Sequence, residues 1–189
     1  MLCLYTWSAR WAYDAPANLW NLTGATWVLV AGWLIRHGVA RWATISRTVR
    51  LVVGVLALWL TWVAMYQAKV MGVNFLLSVL LLVWMADIAA YFSGRAFGRR
   101  KLAPAISPGK SWEGVWGGMV GVMFMACVWI WVDLHYAVDS PSLYSLLYLR
   151  GAPFLILATL FLTLMSVAGD LVESLVKRSA GMKDSSQLL

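Results

Sequence analysis

The chain has 189 residues, of which 62% are hydrophobic and only 12% charged, where a soluble domain carries about 25% charged residues. Together with thirteen tryptophans and a mean hydropathy of +0.75, this excludes an ordinary soluble domain and indicates an all-α integral membrane protein with one membrane domain. A formal charge of +7 in so apolar a chain points to loops facing anionic lipid or phosphate ligands, with no nucleic acid as partner.

The N-terminal stretch MLCLYTWSARWAYDAPANLW lacks the cationic start, apolar core and small-residue cleavage site of a secretory signal. Cys3 and Cys127 lie far apart, which argues against a disulfide framework or a cysteine zinc site.

A spanning helix needs roughly 20 mostly apolar residues. Five runs qualify: 18–35, 51–66, 73–92, 115–134 and 152–168. Arg36, Arg41, Arg47 and Arg50 follow the first run, and Arg95, Arg99, Arg100, Lys101 and Lys110 the third. Lys177, Arg178 and Lys183 follow the fifth, whereas the other connections hold Lys69 in one and Arg150 with Asp139 in the other. This alternation places the basic loops and the tail in the cytoplasm and the N-terminus outside. No internal repeat is visible.

Residues 87–118, DIAAYFSGRAFGRRKLAPAISPGKSWEGVWGG, read as the longest informative loop. Asp87 opens it near the end of an apolar run. A carboxylate at that depth faces a cavity or a partner, or else caps the loop at the interface. SPGKSW superficially resembles a phosphate-binding P-loop, but that motif needs glycine where this chain has Pro104 and a nucleotide-binding core behind it. The residue types still suit phosphate: hydroxyls on Ser107 and Ser111, close backbone approach at Gly109, and a point charge on Lys110. A plain cytoplasmic turn reads equally well. Gly114, Gly117, Gly118 and Gly121 form a small-residue face for close helix packing, which also permits a homodimer.

In GDLVESLVKRSAG, Asp170, Glu173, Ser174, Lys177 and Arg178 fall at i, i+3, i+4, i+7 and i+8. They share one helix face, with Leu171, Val172, Leu175 and Val176 opposite. The fifth run therefore continues into a polar-faced helix at the cytoplasmic edge, and Gly181 is a plausible stop. Asp170 and Glu173 can hold a hard cation such as Mg²⁺ through oxygen; the plainer reading is an amphipathic helix with a Glu173–Lys177 pair. His37 and His135 lie on opposite sides of the membrane in this topology and cannot share a metal.

The blocks DIAAYFSGRAFGRRKLAPAISPGKSWEG and GDLVESLVKRSAGMKDSSQLL, with one pair of spans between them, resemble the phosphatidate cytidylyltransferases, also called CDP-diacylglycerol synthases. The second block resembles the first half of the family signature, matched by Ser174, Lys177, Arg178, Lys183 and Asp184. The resemblance is detailed over 84–118 and 166–189 and looser before. It implies a Mg²⁺-dependent transfer at the cytoplasmic face of a bacterial inner membrane, with room for a second cation. CTP and phosphatidate would be the substrates, CDP-diacylglycerol and pyrophosphate the products. Asp170 would be a metal ligand, and Ser107, Lys110 and Ser174 would lie near metal or phosphates. Lys177, Arg178 and Lys183 would contact the CTP phosphates or the lipid headgroup. Asp87 and Asp184 would be further site carboxylates.

In the family the signature continues with a proline-glycine-histidine-glycine-glycine stretch and further aspartates beyond the position of Leu189, and more apolar segments precede the position of Asn18. The chain is accordingly expected to be a piece of an enzyme, weakly active or inactive alone. The alternatives are a polytopic transporter or channel, a membrane enzyme for another phosphorylated lipid or nucleotide, and a non-catalytic fragment that binds lipid or a partner.

Overall fold

The computed structural model describes residues 16–181. Six helices and one small hairpin follow in chain order: α1 (Ala17–Thr44), α2 (Arg47–Met71), α3 (Val73–Phe97), β1 (Lys101–Ala103), β2 (Ser107–Ser111), α4 (Trp112–His135), α5 (Leu143–Tyr148) and α6 (Ala152–Ser179). Four of these helices, α2, α3, α4 and α6, are long and apolar enough to cross a membrane. The protein is an all-α integral membrane protein.

The first of the five expected runs, 18–35, lies in α1, which is not among those four. Asn18, Asn21 and two threonines dilute its apolar stretch. Its helix also outlasts the run, passing Arg36 and Arg41 with a kink at Gly38, where φ is 69°. Glycine adopts that left-handed conformation without the steric penalty of a side chain. Arg47 and Arg50, expected in a loop, form the first turn of α2, which Ser46 caps by accepting from the Val49 N–H at 3.4 Å.

The segment 87–118, expected as a loop, is mostly helical. Asp87 sits inside α3, and α4 begins at Trp112. What remains is the antiparallel hairpin, paired Lys101 with Ser111 and Ala103 with Ser107. Its ends are fixed from outside: the Trp112 N–H donates to the Arg100 carbonyl at 2.9 Å, and the Ser111 hydroxyl accepts from Gly114 N–H at 3.2 Å as the α4 N-cap. Glu113 accepts the backbone N–H of Arg99 at 3.1 Å and thereby ties the end of α3 to the start of α4.

α3 and α4 pack very closely. A Cβ built on Gly121 would stand 2.5 Å from the Ala89 Cβ, and one on Gly114 would stand 2.9 Å from the Ala90 carbonyl oxygen. The small-residue face is thus used within the chain, and a homodimer would have to use another surface. Two apolar clusters fill the rest. One joins Leu34 of α1, Ile106 of the hairpin, Val115 of α4, and Leu171 and Leu175 of α6. The other joins Leu82 and Ala86 of α3, Val122 and Ala126 of α4, Tyr144 of α5 and Leu155 of α6. α6 runs unbroken from its apolar part into its polar-faced end, and Gly181 follows at φ 73°.

The start of α3 is held by the segment after α4. Asp139 accepts the N–H of Asn74 at 3.0 Å and of Val73 at 2.6 Å, satisfying helix-terminal donors that lack intrahelical partners. Asn74 in turn donates to Asp133 at 2.9 Å and accepts from the Trp129 indole at 3.0 Å.

Gly121→Ala should force α3 and α4 apart and lower stability by about 1–3 kcal/mol. Gly54→Ala, with open space around its Cβ, should not; thermal unfolding in detergent compares the two. The backbone N–H groups of Asn74 and Val73 hold the Asp139 carboxyl below its usual range. A depressed carboxylate stabilises the fold above its unfolded pKa, and that contribution is lost as pH falls through the folded value. The stability gap between the native chain and Asp139→Asn should therefore be present at neutral pH and close in acid, below the ordinary carboxylate range near 4, when melting is followed across pH.

Candidate active site

A cavity of about 490 Å³ opens where α3, the hairpin, α4 and α6 meet. Each element contributes for a local reason. On α3, Asp87, Tyr91, Gly94 and Arg95 line it; their spacing of i, i+4, i+7 and i+8 puts them on one helix face. The hairpin supplies Ser107, Lys110 and Ser111. Gly114 and Val115 come from the first turn of α4, and Val167 and Asp170 from α6.

Lys110 forms an ion pair with Asp170 that joins the hairpin to α6, with the two side chains 24% and 41% exposed. Both remain within reach of a solute while holding each other in place. Arg95 donates to the Tyr91 hydroxyl at 3.3 Å one turn earlier on α3. The cavity thus carries two carboxylates, a lysine, an arginine and two serine hydroxyls. This donor set suits a phosphorylated solute with a divalent cation.

Among the residues expected from sequence, Asp87, Ser107, Lys110 and Asp170 come together here. Glu173, Ser174, Lys177 and Arg178 follow on the next turns of α6 and are not on the cavity wall. Glu173 pairs with Lys177 at 2.6 Å, the plainer of the two arrangements the spacing allowed. Lys183 and Asp184 lie outside the described residues. Tyr91 is a cavity residue the sequence did not single out, and Arg95 was read only as part of a basic loop. The signal that could have found both was their helical spacing from Asp87. His37 and His135 each sit 2.8 Å from the carbonyl four residues earlier, Trp33 and Trp131. Among the described residues no group of three or more His, Cys, Asp or Glu could hold a metal by itself.

The fold and cavity define a membrane-embedded protein with a cavity lined by charged and hydroxyl side chains at one end of its helix bundle. The chain belongs to the Cytidylyltransferase family, whose sequence pattern matches residues 1–189. It is 48% identical over 118 residues to the phosphatidate cytidylyltransferase of Haemophilus influenzae, covering 62% of this chain and 38% of that protein. It is 41% identical over 142 residues to that of Pseudomonas aeruginosa, covering 74% and 48%. With the Bacillus subtilis protein of the same name it shares 36% identity over 118 residues, covering 62% and 39%. The chain therefore spans about half or less of the length of these relatives. No solved structure matches it.

Because both partners of the Lys110–Asp170 pair are partly solvated, its coupling should be modest. A double-mutant cycle of Lys110→Ala and Asp170→Ala, read by thermal unfolding without ligand, should give up to about 1 kcal/mol.

Proposed function

We propose that this chain carries the nucleotide- and lipid-facing site of a CTP:phosphatidate cytidylyltransferase. The observation that carries the reading is the convergence of Asp87, Lys110 and Asp170, from three separate elements, on one cavity. The names of the relatives supply the substrates. In the reaction, a phosphate oxygen of phosphatidate attacks the α-phosphorus of CTP. The bond from that phosphorus to the bridging oxygen of the β-phosphate breaks. CDP-diacylglycerol and pyrophosphate result. Such chemistry needs positioning and charge neutralisation more than covalent help from the protein.

Asp87 and Asp170 suit Mg²⁺, which binds through one or two carboxylates and takes its other ligands from water and substrate phosphate. The lack of a self-sufficient ligand cluster among the described residues fits that mode. When bound, the ion would neutralise phosphate charge. Lys110 would leave its ion pair in part to meet a phosphate, and Ser107 would donate its hydroxyl to a phosphate oxygen. Lys177 and Arg178, on the α6 turns beyond Asp170, would attract the anionic headgroup or triphosphate, with Ser174 between them and the cavity. Lys183 and Asp184 are assigned to the same site by the signature alone, and Glu173 as a further ligand by its spacing from Asp170 on one helix face. The bacterial relatives support an inner membrane location, and the alternation of basic segments supports an orientation with this site toward the cytoplasm.

The purified chain in detergent, given labelled CTP, phosphatidate and Mg²⁺, should form CDP-diacylglycerol at a low rate, as expected of a piece of the enzyme. Asp170→Asn and Lys110→Met should each lower the rate on the order of 100-fold or more. CTP with Mg²⁺ should also raise the melting temperature of the native chain but not of the variants, a readout that needs binding and no turnover. Undiminished binding and turnover in both variants would overturn the reading, and flux across sealed vesicles without nucleotide would favour a transporter.

A further inference from the structure

A second cavity, of about 620 Å³, is walled by Arg99, Arg100, Trp112, Glu113 and Trp116. It shares no residue with the first. Helix geometry separates them. At about 100° per residue, positions 112, 113 and 116 occupy one side of the first turn of α4, and 114 and 115 the other.

Glu113 is engaged with the backbone N–H groups of Arg99 at 3.1 Å and Arg100 at 3.2 Å, which fixes the turn carrying both arginines. Among the described residues neither guanidinium forms a salt bridge. Two arginines against one glutamate leave the cleft net positive. Trp112 and Trp116, 46% and 63% exposed, head an apolar stripe that continues at Val120, Phe124 and Val128. Residues four apart share a helix face, and on a membrane-crossing helix an exposed apolar face meets acyl chains. Tryptophans at the end of such a stripe sit at the headgroup level.

We propose that this cleft is a binding site for an anionic phospholipid, separate from the central cavity. Arg99 and Arg100 hold the phosphate, and the acyl chains lie along the α4 stripe from Trp116 to Val128. Orientation in the membrane needs basic residues only somewhere in the loop. It does not need them side by side in an open pocket with two tryptophans at the head of an exposed apolar stripe. A zwitterionic lipid offers the same phosphate, but its own cation opposes the net charge of the cleft. The assignment stands whatever reaction the central cavity performs.

The test is native mass spectrometry of the whole chain released from detergent with phosphatidylglycerol or phosphatidylcholine of the same acyl composition. The native chain should retain phosphatidylglycerol in preference. The double variant Arg99→Gln/Arg100→Gln should lose that preference by roughly tenfold, Glu113→Gln should increase it, and Lys110→Met should leave it unchanged. Equal retention of the two lipids by the native chain would overturn the proposal. So would full retention in the double variant, or loss of the preference in Lys110→Met, which would assign the lipid to the central cavity. Glycerol 3-phosphate should not displace the lipid at comparable concentration; if it does, the cleft is a site for free phosphate esters and the lipid assignment fails.

Discussion

The site depends on how closely α3 and α4 approach each other. Their contact is backbone against backbone at Gly114 and Gly118, which face the Ala90 and Ala86 carbonyls, and backbone against the Ala89 methyl at Gly121. Lipid tails are as apolar as leucine, so the hydrophobic effect gives little incentive for two spanning helices to associate; van der Waals contact between small residues does. That close approach sets where the hairpin between the two helices can sit. The hairpin in turn carries Lys110 across to Asp170 on α6. A wider spacing would separate Asp87 from the other two groups without changing any of the three side chains.

The two ends of the bundle are built differently. At the far end, polar groups are consumed by one another: Asp139 by the N–H groups of α3, and Asn74 by Asp133, Trp129 and Ser140. At the site end the charged groups are only partly satisfied. Lys110 and Asp170 have each other and remain partly exposed. A network with every donor and acceptor matched rigidifies, whereas partly solvated charges stay available to a ligand. The same polar residue types are thus used up in structure at one end and left partly solvated at the other.

Much of this was legible in the sequence, and the failures have physical causes. The apolar runs at 51–66, 73–92, 115–134 and 152–168 lie within α2, α3, α4 and α6, because a bilayer demands length and hydropathy together. The helix ends were misread because hydropathy reports depth in the membrane and not helicity. α1 continues past Arg36 and Arg41 and α3 past Asp87 and Arg95. The hairpin gave no alternating pattern, and Ser107–Ser111 contains both proline and glycine; its form is imposed by contacts at its ends. Asp87, Lys110 and Asp170 were identified singly, as rare charges beside apolar runs. Their meeting was not, because it depends on the register of three elements. Asp139 was noticed only as a charge in a poorly basic connection, and its capping of α3 is a contact between residues 65 positions apart in sequence.

The continuity of α6 gives the chain a vertical gauge. Ala152 and Asp170 belong to one unbroken helix, and eighteen steps of 1.5 Å make about 27 Å, close to the roughly 30 Å hydrocarbon thickness of a bilayer. The first carboxylate of the helix therefore emerges where the hydrocarbon ends. Its height and its compass bearing are set by the number of apolar residues beneath it. Adding or removing one of them would turn Asp170 by about 100° around the axis, away from Lys110, with no change to any residue of the site. The membrane-buried part of α6 thus encodes an angle as well as an anchor, which constrains its length far more tightly than its composition.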